Sequence, residues 1–331
     1  MSAIGIDLGT STTVVCDEAH GIVYDEPTVL LRRGRGGRRR DVVAIGCEAA
    51  ELRGRVPSGH DAIRPVQQGV IGDLETGRAY LRAMARRALP SPWRRSYSRI
   101  ALGVPAGATD LERRALLEAA DGAGFRRTVA IDAPVAGAIG SGIDPMERRV
   151  HMVVDVGGGT SEATAFCFGG VLTSRSTRLA GEEMTARIIR HLREHHQLFV
   201  GERTAEEAKI RIGLETEPSV VVPGRDAGSG RLRLVTVPVA EIVEVMQPIV
   251  DTLVQTVATC LDELPPEAAG DVLADGVLAF GGGARTRGLV ERLEEALGFP
   301  VKVAENPTSC VAAGAARCLG SPEIRKAYCW G

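Results

Sequence analysis

Between residues 239 and 264, Ile242, Val245, Met246, Ile249, Leu253, Val257 and Leu261 recur at steps of three and four, which predicts a helix with one apolar face. Pro248 lies inside that stretch and predicts a kink. Helical spacing also marks residues 181–196 and 204–212. Elsewhere apolar residues come in short β-rich runs. Residues 3–7 and 12–16 flank a Gly-Thr turn and predict a hairpin. Residues 150–155, the turn Gly157-Gly158-Gly159-Thr160 and the run through Phe168 repeat the order strand, Asp, glycine turn, strand. The repetition predicts two similar lobes.

Between the repeats lie a strand at 99–104, a helix capped by Thr109 or Asp110 and closed near Gly122–Gly124, and a β-run at 128–131. That order predicts parallel pairing and an α/β architecture. Residues 219–238 read as strands around a glycine-rich turn. The last third predicts a strand at 276–280, a turn at 281–284, a helix at 286–297, a short strand at 300–303 and a helix at 308–319. A chain of 331 residues exceeds the size at which one core stops growing. The expected division is lobe I at 1–135, completed by residues from about 308 to 331, and lobe II at 136–307.

Three glycine-rich turns each follow a β-run: Asp7-Leu8-Gly9-Thr10-Ser11-Thr12, Asp155-Val156-Gly157-Gly158-Gly159-Thr160 and Phe280-Gly281-Gly282-Gly283-Ala284. Glycine lets backbone approach a phosphate and turn its N–H groups toward it. The hydroxyls of Thr10, Ser11, Thr12 and Thr160 add donors, and Asp7 and Asp155 are placed to hold Mg2+ through waters. One such turn is more often a plain hairpin; two Asp-bearing copies and a third turn point to a phosphate-bearing ligand. Neither GxxxxGK[ST] nor a Rossmann GxGxxG with its later acidic residue is present.

Hydrophobic residues make up 44% of the chain and charged residues 25%, which suits a packed globular protein. The net charge of −2 gives no global field toward nucleic acid or an anionic membrane. The arginine-rich stretch Arg32–Arg40 offers charge to a lipid headgroup or an acidic partner and otherwise reads as a solvated turn; it holds no aromatic residue for base stacking, so no nucleic-acid partner is expected. Seven cysteines without a CxxC pair suit reduced thiols and a cytoplasmic setting. A strand begins at once at the N-terminus and no apolar run reaches about 18 residues, so neither a signal peptide nor a membrane span is expected. His191, His195 and His196 fall near one helical face; with no carboxylate at ligand spacing they read as a solvated surface, and no transition metal is expected. The C-terminal Tyr328-Cys329-Trp330-Gly331 reads equally as a docking tail or a folded-back end.

The motifs GIDLGT, DVGGGTSE and FGGGA, in that order, resemble the two phosphate loops and the adenosine loop of the actin, DnaK-type chaperone and sugar-kinase superfamily. Finer matches resemble MreB-like bacterial actins: Asp25-Glu26-Pro27-Thr28, Ala62-Ile63-Arg64-Pro65 with Gly69-Val70-Ile71, Gly103-Val104-Pro105, Gly201 through Glu206, and Leu264-Pro265-Pro266-Glu267 running on to Gly283. The resemblance covers residues from about 4 to 320. It implies an actin-like, ribonuclease H-like two-lobed ATPase fold that holds ATP and Mg2+ in the cleft between lobes. It further implies head-to-tail filaments at the inner face of the cell membrane and partners in cell shape and cell-wall synthesis. By the same resemblance Glu206 and Lys209 hold the ribose and adenine edge, although alone they read as a surface ion pair. Gly282, Gly283, Ala284 and Arg285 wall the base, and Thr160 positions the attacking water.

The sequence departs from the family where a water-activating Glu precedes a Pro: here Ala133 precedes Pro134. Asp132 is the nearest substitute carboxylate, yet strand alternation points it the other way. Losing a general base costs about 10²- to 10⁴-fold in rate, so slow ATP hydrolysis is expected. Trp93, Arg94 and Arg95 occupy a segment where the resemblance implies a membrane contact. The rival readings are a small-molecule kinase, a chaperone and an actin-like scaffold that does not polymerise.

Overall fold

The computed structural model describes residues 2–34, 41–214 and 216–331; most of the arginine-rich stretch therefore lies outside the described residues. The chain opens with β1 (Ala3–Leu8), β2 (Thr12–Asp17), β3 (Gly21–Pro27), β4 (Leu30–Arg33), β5 (Asp41–Ile45) and α1 (Gly46–Leu52). β6 (His60–Ile63), β7 (Val66–Gln67), β8 (Val70–Ile71), α2 (Leu74–Ala88), α3 (Pro92–Tyr97), β9 (Arg99–Val104), α4 (Asp110–Ala123) and β10 (Thr128–Asp132) follow, and α5 (Ala133–Gly140) leads out of this lobe. The second lobe holds β11 (His151–Val156), β12 (Ser161–Cys167), β13 (Gly170–Thr177), α6 (Gly181–His195), β14 (Leu198–Phe199), α7 (Glu202–Leu214), β15 (Ser219–Asp226) and β16 (Leu232–Pro238). It continues with α8 (Val239–Asp262), α9 (Pro266–Asp275), β17 (Val277–Phe280), a 3₁₀ turn at Gly282–Arg285, α10 (Leu289–Leu297) and β18 (Val301–Val303). α11 (Cys310–Cys318), α12 (Pro322–Tyr328) and β19 (Cys329–Trp330) complete the chain.

Among the described residues the two main sheets run β19-β10-β9-β1-β2-β3 and β13-β12-β11-β17-β18. The internal repeat is legible in their registers. β1 pairs antiparallel with β2 (Ile6 opposite Val15) and parallel with β9 (Ile6 opposite Leu102). β11 pairs antiparallel with β12 (Val154 opposite Ala163) and parallel with β17 (Val154 opposite Ala279). Each sheet thus carries its Asp-bearing strand end between one hairpin partner and one parallel neighbour, at the edge facing the other lobe.

Each lobe has its own core. Ile4, Ile6, Tyr80, Leu81, Ile100, Leu102 and Phe125 are buried in the first. Val154, Ile188, Leu192, Ile242, Ile249 and Leu253 are buried in the second, so α8 spends its predicted face there. Fully burying side chains of this size contributes about 1.5–3 kcal/mol each. A third cluster joins α5 and α11 to Phe166 and Phe280 between the lobes. The C-terminus folds back: β19 pairs antiparallel with β10, Ala130 opposite Trp330.

Local chemistry explains some element ends. Thr109 and Glu112 form a reciprocal capping box on α4, and Gly124 closes it in the left-handed conformation. The helix expected at 286–297 begins instead at Leu289. Gly288 (φ 82°) takes left-handed backbone at its N-terminal boundary and delays the start, while a 3₁₀ turn at Gly282–Arg285, entered through Gly281 (φ 83°), lies ahead of it. α8 runs unbroken through Pro248, with the Thr252 hydroxyl donating to the Pro248 carbonyl at 2.9 Å.

Candidate functional site

The two phosphate-type loops are built alike. Gly9 N–H donates to the Thr12 carbonyl at 3.1 Å, and Gly157 N–H donates to the Thr160 carbonyl at 2.9 Å. The first loop is braced from below, where the Thr28 hydroxyl donates to the Gly9 carbonyl at 2.7 Å and Tyr80 donates to Thr13 at 2.9 Å. The loops face each other so closely that a Cβ on Gly158 would sit 2.1 Å from Ser11 Oγ, and one on Gly159 would sit 2.3 Å from Thr10 Oγ1. Glycine at both positions is therefore a demand of the lobe-to-lobe approach.

Above the loops lies a cavity of 340 Å³ lined by Asp7, Gly9, Thr10, Ser11, Thr12, Asp155, Gly157, Gly158, Gly159 and Thr160, and on its far wall by Glu206, Lys209, Gly282, Gly283 and Arg285. Ala284 stands behind that wall, only 2% exposed, in the core of the second lobe. Gly282 faces open space, whereas a Cβ at Gly283 would meet Val156 Cγ1 at 2.4 Å. Lys209 Nζ pairs with Glu206 at 2.8 Å and donates to the Gly181 carbonyl at 2.7 Å and to Thr185 Oγ1 at 3.0 Å. The ion pair and the cavity wall are thus one structure.

The cavity floor carries two carboxyl groups whose ionisation is opposed by burial and by neighbouring carboxyl groups. Burial, with Asp25 nearby, raises the Asp7 carboxyl to about 7. Burial, Glu162 and then Asp7 hold the Asp155 carboxyl well above the usual carboxylate range. Two carboxylates that repel each other beside backbone N–H groups are the donor set for a hard divalent cation with phosphate oxygens completing its shell, and Mg2+ fits it. Sequence reading missed Glu162. It is 2% exposed, lines the cavity, and accepts from Ala106 N–H at 3.0 Å, Gly107 N–H at 3.2 Å and the Ser176 hydroxyl at 3.0 Å. Its place just after Thr160 on an inward-facing strand was the available signal. Gly181, Thr286 and Thr308 also line the cavity and carried no motif.

Ala133, at the first turn of α5, borders the cavity, with a side chain too short to reach into it. Asp132 does not line it: its carboxylate takes Arg113 at 3.2 Å, and Arg113 in turn stacks over Trp330 at 4.4 Å. Burial, partly offset by Arg113, raises the Asp132 carboxyl to about 6. Because that value lies above the unfolded one, the stability this group contributes is present below about pH 4 and is lost as pH rises toward 6. Asp132→Asn is therefore expected to gain about 2 kcal/mol on the parent between pH 4 and pH 7 in urea titrations. A pH-independent difference would show that burial does not control this group.

Ion pairs lock the lobes across the cleft mouth. Glu202 accepts Arg53 at 2.8 Å and Arg64 at 2.7 Å, and Arg64 also reaches Glu182. On the outer face of the first lobe Trp93 is 71% and Tyr97 53% exposed, their rings stacked at 5.6 Å. Arg94 beside them pairs with the buried Asp17, and Arg95 donates to the Leu89 carbonyl at 2.6 Å. No helix among the described residues is long and apolar enough to cross a membrane.

Two similar lobes, each presenting an Asp and a glycine turn to a shared cleft, define an actin-like fold. Solved structures agree: MreB5 of Spiroplasma citri bound to AMPPNP superposes with a TM-score of 0.88 at 28% identity, covering 95% of each chain. The MamK double helical filament subunit gives 0.80 at 25% identity over 96% of this chain and 98% of that one. The MreB/Mbl protein family model matches residues 1–326, and the chain belongs to that family. The cell shape-determining protein MreB of Escherichia coli K12 is 38% identical over 321 residues, 96% of this chain and 92% of that protein. Mbl of Bacillus subtilis 168, also a cell shape-determining protein, is 36% identical over 315 residues, 94% of this chain and 93% of that protein.

Proposed function

We propose that this chain binds ATP with Mg2+ between its lobes and assembles head to tail into filaments that organise cell shape and cell-wall synthesis at the inner membrane surface, with weakened hydrolysis. The observation that carries the reading is the opposed pair of glycine loops with Asp7 and Asp155 on the cavity floor. In this reading Gly9–Thr12 and Gly157–Thr160 cradle the phosphates, and Asp7 and Asp155 hold Mg2+, which neutralises phosphate charge when bound. Glu206 and Lys209 meet the ribose and base edge, and Gly282, Gly283 and Arg285 flank the base, with Ala284 supporting them from behind. Thr160 orients water, and Ala133 leaves that water without its usual base. Lobe I comprises residues 1–135 with the returning C-terminal segment, and lobe II residues 136–307.

The relatives support both halves of the proposal. MreB5 of Spiroplasma citri was solved with AMPPNP and with ADP, and MamK as a double helical filament. A nucleotide touching both lobes favours their closure, and the Glu202 pairs with Arg53 and Arg64 give the closed form a latch. A closed subunit presents two different end surfaces, so its contacts are heterologous and generate filaments. ATP-dependent pelleting above a critical concentration, with little phosphate released in the same tubes, is the expected result. Nucleotide binding without pelleting would replace the filament by a non-polymerising scaffold, the alternative that Ala133 keeps open.

For the membrane contact, Trp93 and Tyr97 offer an exposed aromatic pair beside an open depression of 770 Å³ lined by Arg82, Arg86, Arg95 and Arg126. Aromatic rings with flanking arginines suit an anionic headgroup interface. Single subunits would bind weakly and a filament would sum their contacts. Trp93→Ala with Tyr97→Ala is expected to cut co-sedimentation with anionic liposomes at least tenfold while pelleting without liposomes is unchanged. Equal co-sedimentation would remove these rings from the contact.

A further inference from the structure

At the end of α6 remote from the cleft, side chains from two helices converge. His191 Nε2 and His196 Nε2 each lie 2.5 Å from the same Glu241 Oε1, in the first turn of α8. One candidate ligand atom from each residue lies within 4.8 Å of the others, and all three residues are half-buried. The neighbouring His195 ring stacks on His191 at 4.5 Å. The backbone beneath is fixed. Ile188 and Leu192 of α6 share the second lobe's core with Ile242 and Met246 of α8, and Arg233 donates to the His196 carbonyl at 3.3 Å.

We propose that His191, His196 and Glu241 form a mononuclear site for a zinc-class divalent transition-metal ion, with three protein ligands and a water-filled outward position. The sequence hid the site because the carboxylate comes from another helix, and the helical histidines alone read as solvated surface. Two imidazoles meeting one carboxylate oxygen bring three donor atoms within reach of a single ion. The arrangement is a natural precursor of a His₂Glu site, in which a metal at about 2.0–2.2 Å from each ligand takes over both contacts. Side-chain shifts of roughly 1 Å make room for the ion. Nitrogen donors and a single carboxylate favour zinc over Mg2+, which requires oxygen ligands in octahedral order. The bound ion would strap the C-terminal end of α6, whose first residue Gly181 lines the nucleotide cavity, to the start of α8.

The test uses the full chain, free of any histidine tag and stripped with chelator, titrated with Co2+ as a spectroscopic probe. The expected result is one equivalent of Co2+ giving visible ligand-field bands, displaced by Zn2+ and unaffected by excess Mg2+. His191→Gln with His196→Gln, and separately Glu241→Gln, are expected to weaken binding at least tenfold while far-UV circular dichroism stays unchanged. Glu241→Gln keeps the side chain's size and an acceptor for the imidazoles, so it remains informative if the double variant folds poorly. Absence of the bands at saturating Co2+, their persistence in Glu241→Gln, or a thiolate-to-cobalt band marking a cysteine site instead would overturn the proposal.

Discussion

Ala133→Glu is expected to raise the rate of phosphate release about 100-fold, within the 10²- to 10⁴-fold range that a positioned general base supplies. The position is ready for the change. Ala133 borders the cavity at the N-terminal residue of α5, where a carboxylate also meets the favourable end of the helix dipole. Thr160 already lines the same cavity. A matched Ala133→Gln variant has nearly the same shape and no base, so it is expected to stay at the parent rate. Single-turnover phosphate release with nucleotide affinity measured in parallel separates chemistry from binding. A fast parent, with no gain in the glutamate variant, would mean that another carboxylate serves the water. Glu162 would then be the residue to test, since it lines the cavity and Asp132 does not.

How far the sequence carries such arguments depends on how local the cause is. The hairpins β1–β2 and β11–β12 were legible because a β-run, an Asp and a glycine turn lie within one short segment. The α4 boundaries were legible because Thr109, Glu112 and Gly124 act on the backbone beside them. α5 was not. It is buried on nearly every side, so Ala133–Gly140 shows no polar face to set a period. The small strands β3, β4 and β5 and the helix α1 pass between exposed and buried positions over a few residues, too briefly for a pattern. At the site, the phosphate loops were legible and their mutual approach was not. Nothing local says that Gly158 must clear Ser11, that Glu202 must take Arg53 and Arg64, or that Glu241 must meet His191. Those facts belong to the packing of distant segments.

The same distinction governs the largest expected loss of stability, at the crossing of α5 and α11. A Cβ on Gly314 would stand 1.7 Å from the Ala136 carbonyl oxygen and 2.6 Å from Gly140 N. A Cβ on Gly140 would stand 1.8 Å from the Cys310 carbonyl oxygen. These neighbours are backbone, so no rotamer change relieves the overlap and the helices must move apart. That movement disturbs the cluster between the lobes, where Ala136, Ile139, Val311 and Ala315 are packed with Phe280. It also disturbs the β1 contact of α11, because Gly5 is held just as closely against the Ala312 carbonyl oxygen, at 1.9 Å. Gly314→Ala is expected to cost about 3 kcal/mol, at the upper end of overpacking penalties, and to lower Tm by roughly 4 °C. Gly270→Ala in α9 is the control: its Cβ would meet nothing within 4 Å, so the gain in helix propensity leaves Tm unchanged or slightly raised. Because Gly140 and Gly314 share one contact, the double alanine variant is expected to cost less than the sum of the singles, the first separation having made room for the second. A Tm for Gly314→Ala equal to that of Gly270→Ala would mean that the two helices are not packed this closely in solution. In that case the nucleotide-linked lobe closure proposed above would have to be transmitted by contacts other than those of α5 and α11.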